Sequence, residues 1–178
     1  MASNHTPELA RCEEKIIEFL WKYCGYKDVS VESAKRMARD GALSINRILE
    51  IALERVGKLK HSNKKGEDFS DGSDAKYATS RNKIHNSGAG YFTERNWADV
   101  AGLKNKRGTL RVLINYNNWN EGIHKPFMFK IPYKVWQPEV RSSGNLKFYF
   151  SSKDNNLTKI TRKRFGKYQV DTFKQLAS

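Results

Sequence analysis

Three observations predict an α+β fold for this chain, with helices first and a mixed β-sheet after them. Apolar residues recur at helical spacing as far as Val56, then in short β-rich runs from Asp74 to Phe150. Between the two textures lies a polar, basic break, Lys58 to Lys65. Turn residues, among them Asn117-Asn118, Glu121-Gly122 and Ser143-Gly144, separate the later runs. The chain has 178 residues, 38% of them hydrophobic, which is enough for one domain with its own core. Within that domain, residues 1–60 form the helical part, 66–136 the sheet that carries the candidate chemistry, and 137–178 a basic end.

The first helix starts at Thr6-Pro7-Glu8, with a cap, a proline at the first helical position and an acid in the first turn. Leu9, Cys12, Ile16, Phe19, Leu20 and Tyr23 mark its apolar face. A second helix runs from Ser30 to near Gly41, and a third follows Ser44 with Ile45, Ile48, Leu49, Ala52, Leu53 and Val56 on one side. Strands are expected at Asp74–Thr79, Leu110–Tyr116, Pro126–Ile131 and Leu146–Phe150, a short helix at Asn96–Leu103, and a last helix from Asp171. Cys12 and Cys24 lie about 18 Å apart along one helix and cannot pair there. Reduced thiols and a cytoplasmic setting follow as expectations. No apolar run approaches the length of a membrane span, so no membrane partner is expected.

Charge narrows the function. With 33 Lys and Arg against 19 Asp and Glu, the net charge is +14, which suits a polyanion such as nucleic acid. Against that background, "GEDFSDGSDAK" gathers Glu67, Asp68, Asp71 and Asp74 and closes on Lys76. Asp71-Gly72-Ser73 is turn chemistry. A three-residue hairpin loop there sets Ser70 opposite Asp74 and Asp68 opposite Lys76, placing Asp68, Asp74 and Lys76 on one face. A two-residue turn at Asp71-Gly72 moves Asp68 to the other face, and sequence leaves both open. Two carboxylates and a lysine on one face suit Mg²⁺ and phosphodiester chemistry; a solvated acidic hairpin is the plainer reading. No zinc spacing, P-loop or G-x-S-x-G occurs.

Preceded by a helix bearing Glu50 and Glu54, and followed by the strand "LRVLINYN", the triplet Asp74-Ala75-Lys76 resembles the PD-(D/E)XK nuclease superfamily, small type II restriction endonucleases in particular. The resemblance covers roughly residues 44–136. It implies a sheet of restriction-endonuclease type and a Mg²⁺-dependent, site-specific endonuclease of double-stranded DNA acting as a homodimer. The helical part would be the dimer interface. It also implies Asp68, Asp74 and Lys76 as catalytic residues, with metal held by Asp68, Asp74 and the Ala75 carbonyl. Asp71 is the second choice for the first acid, and Glu54 or Glu50 a further acid.

The run after the acidic strand offers Ser80, Arg81, Asn82, Lys83, His85 and Asn86 to phosphates or base edges. In the basic end, nine Lys/Arg stand against three Asp/Glu from Pro138 onward, and Arg162, Lys163 and Arg164 are expected to touch phosphate. The four tryptophans read as core or interface residues. A non-catalytic DNA-binding protein and an RNA-binding module are the alternatives.

Overall fold

The computed structural model describes residues 7–25, 29–86 and 92–178, the side chains of 7–10, 84–86 and 92–94 excepted. Three helices open the chain: α1 (Pro7–Cys24), α2 (Val31–Arg39) and α3 (Ile45–Val56). Ser30 and Ser44, where these helices were expected to begin, cap α2 and α3, their hydroxyls accepting from Ser33 N and Arg47 N at 3.2 and 3.1 Å. Both cysteines are free and buried. Burial pushes the Cys12 thiol up to about 12, so its contact with His124 Nδ1 joins α1 to the sheet rather than making a nucleophile. Among the described residues no helix is long and apolar enough to cross a membrane.

The strands are β1 (Asp74–Thr79), β2 (Arg81–Asn86), β3 (Phe92–Val100), β4 (Leu110–Asn118), β5 (Ile123–Ile131), β6 (Leu146–Ser151), β7 (Asn156–Leu157) and β8 (Gln169–Val170). Short helices α4 (Tyr133–Trp136), α5 (Lys159–Phe165) and α6 (Phe173–Ala177) lie among and after them. The fold is mixed α+β, and its strands form two sheets, ordered β1-β4-β5-β8 and β2-β3-β6-β7. The first sheet is mixed, because β1 runs parallel to β4 while β4, β5 and β8 are antiparallel. The second is antiparallel throughout.

Period-2 alternation makes three layers of these elements. Leu110, Val112, Ile114 and Tyr116 on β4, with Phe127, Phe129 and Ile131 on β5, meet Ala98, Val100, Leu146, Phe148 and Phe150 of the second sheet. The opposite face of the first sheet, with Ala75, Leu113 and Met128, packs on α1, α3 and α6. β4 is therefore buried along its whole length. Arg111, on its helix side, is 3% exposed and donates to Ser73 Oγ, Leu176 O and Ser178 O.

Two expectations are corrected. Residues 96–103 do not form a helix: Asn96, Ala98 and Val100 are buried while Trp97 and Asp99 are not, a strand's alternation, and 96–100 belong to β3. Residues 81–86, read as a polar run, form β2, which pairs with β3 over its full length.

The turn before β1 is wedged against the start of β4. A Cβ on Gly108 would lie 1.7 Å from the Gly72 carbonyl oxygen, a backbone atom with no rotamer to yield. Gly108→Ala should therefore force the two loops apart and cost about 1–3 kcal/mol or more of stability, read as a lowered denaturation midpoint. Gly66→Ala, with open space around its Cβ position but a φ of +96°, should lose only about 1 kcal/mol.

Candidate active site

The acidic segment folds differently from either hairpin considered above. Phe69 is fully buried against the helices and forms an isolated antiparallel bridge with His61. Ser62 N donates to Asp68 O and Ser70 N to Lys60 O, both at 2.9 Å. The backbone at Asp68 thus pairs with the segment leaving α3, not with β1. The loop itself is Ser70-Asp71-Gly72, closed by Gly72 N to Phe69 O at 2.9 Å and Phe69 N to Ser73 O at 3.1 Å. Burial of Phe69 sets this register, one residue earlier than the turn chemistry suggested.

Asp68 reaches β1 by its side chain instead. β1 is an edge strand, and its outward amides and carbonyls need partners. Asp68 Oδ2 accepts from Ala75 N at 2.9 Å. Asn46, on α3, does the rest: its Oδ1 accepts from Tyr77 N at 2.8 Å and its Nδ2 donates to Ala75 O at 3.2 Å. The edge is closed by side chains, and Asp68 is pinned beside the strand that carries Asp74 and Lys76.

Asp74 and Lys76 share the face of β1 that includes Ala78, toward the second sheet. Asp74 is 1% exposed. Lys106 Nζ donates to its Oδ1 at 2.8 Å, while Oδ2 is buried with no hydrogen-bond partner among the described residues. Burial raises the Asp74 carboxyl; Lys106 opposes this, the charge of Asp68 adds to it, and Lys76 lowers it. Lys76 Nζ rests over Gly102, where a Cβ would stand 3.3 Å away and where φ is +76°.

The remaining acids sort by partner. Glu50 is raised by burial and by the charge of Asp68, with Arg47, Asn46 and His61 opposing, so it lies within electrostatic reach of Asp68. Glu54 points to His61 instead, Oε1 to Nδ1 at 3.7 Å. Asp71 caps Ser73 N and Oγ at 2.9 and 2.6 Å and meets Arg111 at 3.4 Å. Burial alone would raise its carboxyl, but those bonds outweigh burial and hold it low. Asp71 is a turn residue tied to the helix side of β4, away from the cluster.

Among the described residues no three His, Cys, Asp or Glu side chains are gathered into a group that could hold a metal ion. Mg²⁺ asks for less, since it is commonly held by one or two carboxylates plus water and substrate phosphate. The unpartnered Oδ2 of Asp74, the Asp68 carboxylate and the second lone pair of the Ala75 carbonyl are hard oxygen donors of that kind.

The expected nucleic-acid contacts divide. Ser80 is corrected: it is fully buried and its hydroxyl accepts from Asn117 N at 2.7 Å, so it meets no ligand. Asn82 is half-buried and opposite Asn96, on the inner face of the second sheet. Arg81 and Lys83 are exposed. His85 and Asn86 lie in β2, their side chains outside the described residues. Arg162, Lys163 and Arg164 are exposed on α5, with Arg162 donating to Leu157 O at 3.2 Å and Arg164 paired with Glu139 at 3.4 Å. Sequence reasoning missed Asn46, Gly102 and Lys106; the only signal for the last was the basic loop "GLKNKRG". No protein-family model, no curated protein and no solved structure matches the chain.

Two outcomes follow from this geometry. Asn46→Ala removes both bonds to the β1 edge and should cost about 1–3 kcal/mol, with faster amide exchange at Tyr77 as its local signature. Because the Asp74 carboxyl is raised in the fold, its ionisation opposes folding. The stability it leaves intact is full below the carboxyl's unfolded value and is lost as pH rises through the folded value. Asp74→Asn should flatten that part of the curve and melt no lower than the parent at pH 7; a strong loss at pH 7 would contradict the assignment.

Proposed function

We propose that this protein is a Mg²⁺-dependent endonuclease that hydrolyses phosphodiester bonds of double-stranded DNA at a specific site, acting as a homodimer. The observation that carries the reading is Asp74: a carboxylate buried to 1% exposure, raised by that burial, with one oxygen unpartnered. A strand position that served structure alone would not keep a buried carboxylate with one oxygen left unpartnered.

The ion would be held by Asp74, Asp68 and the Ala75 carbonyl, with Glu50 beside them. When bound it supplies Lewis acidity toward the scissile phosphate and lowers the pKa of a bound water. The chain's own residues do the rest. Lys76, on the same face as Asp74, orients the attacking water and offsets charge gathering on the phosphate oxygens. Asp68 holds β1 in place through Ala75 N, and its charge acts on Asp74. Lys106 neutralises Asp74 in the metal-free protein, so the carboxylate is kept charged and positioned before the ion arrives.

Plasmid cleavage with and without Mg²⁺ tests the proposal. Discrete fragments that require the metal are expected, with Asp74→Ala inactive and Lys76→Ala slowed on the order of a hundred- to ten-thousandfold. Wild-type rates in a folded Asp74→Ala protein would refute the catalytic assignment, and a gel shift without cleavage would favour a non-catalytic DNA-binding protein. Lys106 has its own readout. Its ammonium competes with the ion for Oδ1, so Lys106→Gln should bind Mn²⁺ or Mg²⁺ about tenfold tighter by calorimetry without DNA. Unchanged metal affinity would show that the ion pair does not guard the site.

A further inference from the structure

The second sheet turns one face inward, and its other face carries the exposed Arg81, Lys83 and Arg95. Residues opposite one another across antiparallel strands share a face. Register sets Arg81 opposite Trp97, Trp97 opposite Tyr149, Lys83 opposite Arg95 and Asp99 opposite Lys147. Asn96, Ala98, Val100, Phe148 and Phe150 take the inner face, so these residues take the outer one. Arg81, Lys83 and Arg95 are exposed and have no ion pair among the described residues. Asp99 is the acid among them, and it is already engaged: Lys147 stands 3.9 Å from it and Trp97 Nε1 donates to it at 3.3 Å.

We infer that this outer face, with Arg81, Lys83, Arg95 and Lys147, is a docking surface for the sugar–phosphate backbone of duplex DNA; the inference rests on the nuclease reading above. Charge complementarity is the first argument. The second is continuity with the site: β3 ends at Val100, and Gly102 just beyond it packs against the Lys76 ammonium. From there back to Arg95 is about 20 Å along the strand, about six base-pair steps. The third argument separates duplex from unpaired strands. Single strands are held by bases stacked on free aromatic faces. Here Lys147 stands over the Trp97 ring, 5.5 Å from its centroid, and the Tyr149 hydroxyl accepts from Arg141 at 2.8 Å. Trp97 thus braces a cation rather than offering a stacking platform, Tyr149 is tied at its hydroxyl, and cations in a row suit phosphates.

The test is binding of a duplex of about 20 base pairs, without divalent metal, across a salt series. The combined variant Arg81→Gln, Lys83→Gln, Arg95→Gln is compared with the parent and with Arg162→Gln, Lys163→Gln. All three sheet positions are exposed, so the melting temperature should hold. Affinity should fall more than tenfold, and the slope of log K against log salt should shrink by about 0.9 per lost contact, close to three in all. Unchanged affinity and slope in a protein that still binds and cuts duplex would overturn this surface and leave the nuclease reading standing. A larger loss from the Arg162, Lys163 pair would overturn it in favour of α5. Tighter binding by the parent to single strands or RNA of equal length would overturn the assigned occupant. A parent that binds no nucleic acid would overturn both readings together.

Discussion

Taking an aspartate out of water on an edge strand costs several kcal/mol unless charge and hydrogen bonds come to meet it. Asp74 is in that position, and the elements around it are arranged by the debt. The loop from Gly102 to Gly108 delivers Lys106 to one carboxylate oxygen. Gly102 leaves room for the Lys76 ammonium, and Gly108 lets that loop lie on the turn that precedes β1. The other oxygen is left without a partner. A site solved for stability alone would replace this carboxylate with an apolar side chain, and on the proposed reading its retention would trade stability for chemistry.

The parallel pairing of β1 and β4 explains why so much of the chain lies between them. Parallel neighbours need a crossover, and here the crossover is not a helix but β2 and β3, which begin the second sheet. One excursion therefore builds the layer that covers β4 and also brings back the loop bearing Lys106. Arg111 anchors the return from the other side. It is buried on β4 and ties Ser73, Asp71 and the carbonyls of Leu176 and Ser178 into one network. The turn before β1 is consequently held from both faces of the first sheet.

What sequence revealed follows from the range of the forces involved. The helix starts at Ser30 and Ser44 were legible because the caps found there are local bonds between near neighbours. The strands at Asp74 and Leu110 were legible from alternation and β-branched content. Residues 96–103 misled because a short segment with Trp97, Val100 and Leu103 fits a helical period about as well as a two-residue one. Only burial between two sheets decided it. Asp68 was expected to share a face with Asp74 and Lys76 through a hairpin, and that hairpin does not form. Phe69 takes the core position, and the side chain of Asp68, not its backbone, makes the contact. Lys106 lies 32 residues from its partner, and Asn46 lies 29 and 31 from the two edge groups it satisfies. No local pattern encodes such pairings.

The charge asymmetry of the chain takes on meaning at this scale. A net charge of +14 would by itself favour any polyanion without discrimination. Asp68 and Asp74 do the opposite locally, because carboxylates repel a phosphate. Lys76 and Lys106 lower that repulsion at Asp74, and a divalent ion would reverse its sign. On the proposed reading, a backbone attracted by the exposed cations of the second sheet would be accepted at the carboxylates only when a metal accompanies it. The acidic patch in a basic protein would then be a condition on binding at one point, laid over attraction everywhere else.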